Sequence, residues 1–399
     1  MKRSLETRLI IFFLVLLLVY IGAVLYFAAS ERVEYGDDLM APVGVDYAMY
    51  YSAGITAASG NVEDVYNVPV QQATTAQLLG INRIQPDLQW FYPPTTMLML
   101  MVVFSKLPFI LSEILWLGLT LAFAVFGMFR LLQNRKKLAW LTVGFSAVVF
   151  GLQWGQNCFL STALLSLGLA YTKKRPALAG LMFGLLTYKP QLALFPLLLM
   201  LLTGEWKVIK WSAVFALVPV ALSFLVFKPH VWVIYLKSFF QQSNPLGDEI
   251  WTRTFDIQPT VYSCLRLMGI GGLALKILIP LIFAALLFMV IVIWKRSGNI
   301  NLTSSAMILG LLLSAPYYVQ YDLMLLCIPF IMLTDELIET RAALKDICML
   351  EAVFIMPLIC CIIVRLFNFQ IAPIILIWAF VWVWKRAMSA PPEKQALAD

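Results

Sequence analysis

Histidine is almost missing: His230 stands alone among 399 residues. A metal centre built on several histidines is excluded, and so is a Ser-His-Asp hydrolase unless His230 serves it. Charge is scarce too, at 13% of residues against about 25% in soluble chains. The six cysteines (Cys158, Cys264, Cys327, Cys348, Cys360 and Cys361) lie mostly inside apolar runs. None has zinc-ligand spacing and adjacent cysteines rarely bridge, so they read as small buried hydrophobes. No Gly-rich phosphate loop occurs, which leaves a soluble nucleotide donor or ATP without a seat. No separate soluble domain and no short-period repeat is visible.

What fills the chain is apolar sequence. It is 61% hydrophobic, and runs of about 20 apolar residues recur from Leu9 onward, as a bilayer requires. A β-barrel would show alternation and few long runs, so the expected fold is an all-α polytopic membrane protein. Lys and Arg cluster in short connectors: Lys2/Arg3/Arg8, Arg135/Lys136/Lys137, Lys173/Lys174/Arg175, Lys207/Lys210, Lys295/Arg296 and Lys385/Arg386. The positive-inside bias places these on the cytoplasmic side. Basic residues spread over so many connectors argue against a nucleic-acid partner.

These signals divide the chain. Residues 1–8 are expected to be cytoplasmic. Residues 9–29 form a first transmembrane helix, too long for a signal-peptide core and followed by a weak cleavage site. Residues 30–92 are too polar to cross, and carry eight acidic residues against Arg32 and Arg83. In this first outer loop Asp46–Ser59 and Pro69–Leu79 each read as an amphipathic helix lying in the interface plane. Tyr47, Tyr50, Tyr51 and Gly54 fall on one helical face, which would hold Asp46 at the mouth of a cavity. Residues 93–388 form the bundle, with a second outer loop at 228–258, and 389–399 are a cytoplasmic tail. Phe91–Phe104 and Phe109–Phe129 cannot both cross without placing Arg135–Lys137 outside, so one is re-entrant or the charge rule fails there. Three short pairs follow, with turns at Gly151–Asn157, Tyr188–Gln191 and Ser314–Asp322. Their arms are short for a span, and broken helices are tolerated where they line a wet or protein-filled interior. The expected total is even, about 12 crossings.

Polar residues at such breaks are the site candidates. Asp46 can act as a general base toward a hydroxyl, or can simply cap the helix that follows it. Lys189, set in an apolar run, suits a phosphate as a point charge, or snorkels from a helix end. Gln156 and Asn157 suit sugar hydroxyls, or cap a turn. Tyr92 can stack on a sugar or line a lipid tail, while Tyr92-Pro93-Pro94 also reads as a helix start. Asp322 partners a buried cation, caps a helix, or joins Tyr321 at a site. His230 and Arg253 give weak loop signals.

The residues then resemble glycosyltransferase family 87, polytopic mannosyltransferases of the GT-C fold. The resemblance rests on Asp46-Tyr47-x-x-Tyr50-Tyr51-x-Ala53-Gly54, Val65-Tyr66-Asn67, Phe91-Tyr92-Pro93-Pro94, Gly155-Gln156-Asn157, Lys189-Pro190-Gln191, and Ser314-x-Pro316 with Tyr321-Asp322, in the family's order. Asn67 departs from the family's more frequent Asp. The resemblance implies a GT-C bundle in the plasma membrane that transfers a hexose, mannose in this family, from a polyprenyl-phosphate donor to a hydroxyl of a glycolipid or polysaccharide acceptor. Transfer would be inverting and on the non-cytoplasmic face. Asp46 would be the general base and Lys189 the donor-phosphate ligand. Tyr50, Tyr92, Gln156, Asn157, Gln191, Tyr321 and Asp322 would contact sugar or acceptor. No cofactor and no metal is expected. A transporter or flippase for a lipid-linked solute is the alternative that broken helices also suit. A polysaccharide polymerase or ligase would favour a large, late, arginine-bearing outer loop, whereas here the larger outer loop comes first and is acidic.

Overall fold

The computed structural model describes residues 2–30, 43–81, 89–242, 257–340 and 343–389. Residues 31–42, 82–88, 243–256 (with Arg253), 341–342 and 390–399 lie outside these residues. Among the described residues the chain is helical, with no strand. Helix α1 (Lys2–Ser30) carries the apolar stretch Ile10–Tyr26. The polar segment that follows supplies α2 (Val45–Ala58), a 3₁₀ turn at Val62–Tyr66 and α3 (Val68–Leu79). Both expected loop helices are therefore present, within a residue or two of the predicted ends.

Helix α2 differs from expectation in one respect. It is buried on almost every side, with only Ile55 and Ala58 exposed. An amphipathic surface helix would bury one stripe. The difference arises because α4 (Thr96–Phe104) packs along it. The backbone of Met101 lies against Gly54, where no side chain would fit.

The ambiguity between residues 91 and 137 is resolved by length. Helix α4 has nine residues, about 14 Å at 1.5 Å per residue, and cannot span a core of about 30 Å. Helix α5 (Phe109–Leu131) can. A 3₁₀ segment (Lys136–Gly144) and α6 (Val148–Trp154) then form one apolar unit bent by 51°. After it come α7 (Cys158–Tyr171), α8 (Pro176–Leu185), a short 3₁₀ turn to Tyr188, and α9 (Pro190–Leu202). The C-terminal half contains α10 (Trp206–Phe227), α11 (His230–Gln242), α12 (Val261–Leu267), α13 (Leu273–Arg296) and α14 (Ile300–Ser314). A 3₁₀ segment at Gln320–Leu326 leads into α15 (Cys327–Thr340), and α16 (Leu344–Phe367) and α17 (Ala372–Ser389) complete the bundle.

Among the described residues α5, α10, α13, α16 and α17 are long and apolar enough to cross a membrane, and the bent unit makes six. The remaining apolar helices are shorter: α1's Ile10–Tyr26, α7, α8 with its 3₁₀ turn, α9 and α14. The long helices leave large apolar side chains bare, such as Leu225 on α10 and Phe288 on α13. Belts of this kind are stable only against lipid.

The short helices place the site. Helices α7 and α9 start at the breaks after Asn157 and Lys189, and α14 ends at the break before Tyr321. Their far ends carry the basic connectors. There Lys173 pairs with Glu205, Arg135 with Asp335 at 2.7 Å and Glu339 at 3.0 Å, and Arg386 with Glu336 at 3.1 Å. The polar breaks therefore gather at one end of the bundle and the cationic connectors at the other.

Candidate functional site

The start of α2 fixes Asp46. Gly44 is the N-cap residue with φ +75°, a conformation that favours glycine. Its N–H donates to the Gln153 carbonyl at 2.8 Å, which ties α2 to α6. Asp46 is thus the second residue of the helix and not its cap, so the capping reading of this carboxylate falls away. The helix N-terminus still favours its charge. Gly155, the C-cap of α6 at φ +68°, turns the chain so that Gln156 faces α2. The Gln156 amide donates to the Asp46 carboxylate. Asp46 is 8% exposed. It therefore lies beneath the surface, under this amide, and not at an open cavity mouth.

The network continues from Gln156. Its carbonyl oxygen accepts from the Tyr50 hydroxyl at 2.5 Å and from the Asn157 backbone N–H at 3.1 Å. The Asn157 side-chain amide donates to the hydroxyls of Tyr92 at 2.8 Å and Tyr50 at 3.2 Å, and those two hydroxyls lie 2.9 Å apart. Burial raises the Tyr50 hydroxyl well above its usual pKa, and Tyr92 and Asp46 nearby push it further. It therefore remains a neutral donor. The Asn157 side-chain oxygen is buried with no hydrogen-bond partner among the described residues.

The Tyr92 carbonyl is held by Trp90 Nε1 at 2.7 Å and the Tyr66 hydroxyl at 3.2 Å. Within the Val65-Tyr66-Asn67 stretch, Tyr66 thus helps position Tyr92. Beyond Tyr92 the ring of Tyr188 lies 5.9 Å away. Its hydroxyl meets Ser161 at 2.7 Å and the Asn157 carbonyl at 3.3 Å. The next residue, Lys189, pairs with Asp322 at 2.7 Å, with the two side chains only 4% and 5% exposed. Its Nζ also sits 5.4 Å from the centre of the Tyr321 ring. This lysine does not snorkel to the surface. One of its three N–H donors is used on Asp322. Tyr321 is within electrostatic reach of Asp46 and Tyr92, and so links the two halves.

The structure thus joins Asp46, Tyr50, Tyr92, Gln156, Asn157, Lys189, Tyr321 and Asp322 in one buried polar patch. It does not join Gln191, which is half-buried and makes no polar contact among the described residues. His230 is elsewhere, on α11, paired with Glu63 at 2.5 Å. Three site residues were missed. Tyr188 and Ser161 carried weak signals, one beside Lys189 and the other one helical turn after Asn157. Glu113 carried a stronger one, as a lone carboxylate within the apolar run Phe109–Phe129. Its carboxylate lies against both Gly44 and Gly155, where a Cβ would sit. Among the described residues no three His, Cys, Asp or Glu side chains cluster as a metal site would need.

A helical bundle with bare apolar belts, whose broken helices enclose a carboxylate, amides and phenols, is that of an integral membrane protein with a polar interior. The profile of glycosyltransferase family 87 matches residues 90–329. The chain belongs to that family and is a membrane glycosyltransferase. The match spans six of the eight patch residues, Tyr92, Gln156, Asn157, Lys189, Tyr321 and Asp322, while Asp46 and Tyr50 lie ahead of it and join the site through Gln156 and Asn157. No curated protein and no solved structure matches the chain.

Proposed function

We propose that the enzyme transfers a hexose, mannose by the family resemblance, from a polyprenyl-phosphate donor to a hydroxyl of a glycolipid or polysaccharide acceptor, with inversion. The observation that supports this most is the buried Asp46 carboxylate, held by the Gln156 amide in a patch of sugar-compatible donors and acceptors that runs to Lys189. In this reading Asp46 takes the acceptor hydroxyl proton. The acceptor oxygen forms its bond to the anomeric carbon as the bond from that carbon to the phosphate oxygen breaks. Both bonding electrons leave with the polyprenyl phosphate, whose charge grows as it departs. Lys189 has N–H donors beyond the one used on Asp322, and hydrogen bonds to an anion strengthen as its charge grows. Tyr50, Tyr92, Gln156, Asn157 and Tyr321 orient the sugar and acceptor.

The distribution of charge supports a topology for this reading. With the basic connectors cytoplasmic, the polar breaks lie toward the outer face of the plasma membrane, where a lipid-linked donor needs no nucleotide. The five or six spans long enough to cross among the described residues fall short of the expected total of about 12. Family membership weighs against the transporter reading.

The test is incorporation of label by the purified enzyme in nanodiscs. Polyprenyl-phosphate-[¹⁴C]mannose is supplied with a membrane extract as acceptor, and the anomeric configuration of the product is determined. Label in a new product of configuration opposite to the donor is expected. Retained configuration would remove Asp46 from the role of base. Transfer from a soluble nucleotide-mannose and none from the lipid donor would remove the donor assignment.

A further inference from the structure

The end of the bundle remote from Asp46 holds a cavity that the transfer reaction does not use. It is a half-open cleft of about 260 Å³ between the α7–α8 connector and the α13–α14 connector. That is slightly below the roughly 300–1,000 Å³ of small-molecule sites, so it suits a headgroup and not a whole lipid. Helix α7 separates it from the catalytic patch. Fourteen residues lie between Asn157 and Thr172, which is about 21 Å of helix.

The charge at its rim is one-sided. Lys173, Lys295 and Arg296, all three exposed, line it, with Trp294 beside them and Leu169 and Ile300 as apolar lining. Lys173 is partly neutralised by Glu205, and Arg296 donates to the Met388 carbonyl at 3.1 Å. Lys295 has no hydrogen-bond or ion-pair partner among the described residues, and neither has the indole N–H of Trp294. Cations converging on a cavity with spare donors favour an anion. The adjoining apolar lining and the lipid-facing surface of α13 favour an anion that carries an apolar tail.

We propose that this cavity binds the phosphate group of an anionic ligand, at a site separate from the donor phosphate. A phospholipid headgroup and free phosphate share that chemistry, and the test distinguishes them. The enzyme in dodecyl maltoside micelles containing phosphatidylcholine is titrated with phosphatidylglycerol, and in a parallel arm with inorganic phosphate. Thermal unfolding is followed by circular dichroism. A ligand of the folded state raises the midpoint with its concentration. A saturating rise of a few degrees is expected with phosphatidylglycerol and none with further phosphatidylcholine. Lys295→Gln/Arg296→Gln should lose most of the rise, while Lys207→Gln, an exposed lysine outside the cavity, should keep it. If the double variant is unstable, Lys295→Glu alone serves, because Lys295 makes no internal contact that the change would break. A rise with inorganic phosphate that the same variants abolish would assign the site to a soluble anion. A rise equal for both phospholipids, or one that survives Lys295→Glu, would overturn the proposal.

Discussion

Removing the Lys189 ammonium should unfold the enzyme more readily, and removing its partner as well should restore stability. The two side chains are 4% and 5% exposed and 2.7 Å apart, so neither charge is shared with water. Lys189→Met leaves Asp322 buried without its cation, which costs roughly 3–5 kcal/mol in comparable buried pairs. That is a large part of a total stability of about 5–15 kcal/mol. Lys189→Met/Asp322→Leu removes both charges, and such replacements range from about neutral to stabilising by roughly 1–4 kcal/mol. The coupling in the double-mutant cycle should therefore be several kcal/mol, far above the roughly 0.3–0.5 kcal/mol scatter of independent sites. Sodium dodecyl sulfate titration in mixed micelles, read by far-ultraviolet circular dichroism, measures it. Transfer activity then separates two roles, because the double variant should be folded and inactive. A Lys189→Met enzyme within about 1 kcal/mol of wild type would refute the reasoning.

Other substitutions probe the rest of the patch. Gln156→Leu leaves Asp46 without this amide and Tyr50 without its acceptor; at about 1–3 kcal/mol per unpaired buried group, transfer should fall roughly 10- to 100-fold, read as initial rate with labelled donor. Tyr50→Phe should cost less, about 0.5–1.5 kcal/mol in unfolding free energy, because Gln156 keeps the Asn157 N–H and Asn157 keeps Tyr92. Gly44→Ala combines a positive φ, worth about 1–2 kcal/mol, with a clash against Glu113. Gly80→Ala, also at positive φ but with open space around it, should show the conformational cost alone, and the two thermal midpoints can be compared directly.

The helices were legible because long apolar runs and helix-breaking residues are local signals. The Leu275–Trp294 run lies within α13, and Asp46–Ser59 falls within a residue of α2. The turns at Asn157, Lys189 and Asp322 were legible for the same reason, since polar residues interrupting apolar runs stand out. Their convergence was not. Lys189 and Asp322 are 133 residues apart, and Asp46 and Gln156 are 110 apart, so nothing local couples them. The burial of α2 was hidden because its covering helix, α4, follows some 40 residues later. Asp46 looked like a cap because the left-handed conformation of Gly44, which moves the cap back by two residues, leaves no mark beyond the glycine itself. Glu113 was legible and overlooked, as a single acid within a long apolar helix.

The most direct test of the account is single-turnover transfer by Asp46→Asn. Asparagine matches the shape of aspartate, and its side-chain oxygen can still accept from Gln156, so the patch should stay assembled. What it lacks is the capacity to take the acceptor proton. The account predicts that donor binding is unchanged and that the transfer rate falls by roughly 10²–10⁴-fold, the usual contribution of a general base. A variant that binds donor and transfers at the wild-type rate would contradict it, and would leave Asp46 as a positioning residue for Gln156.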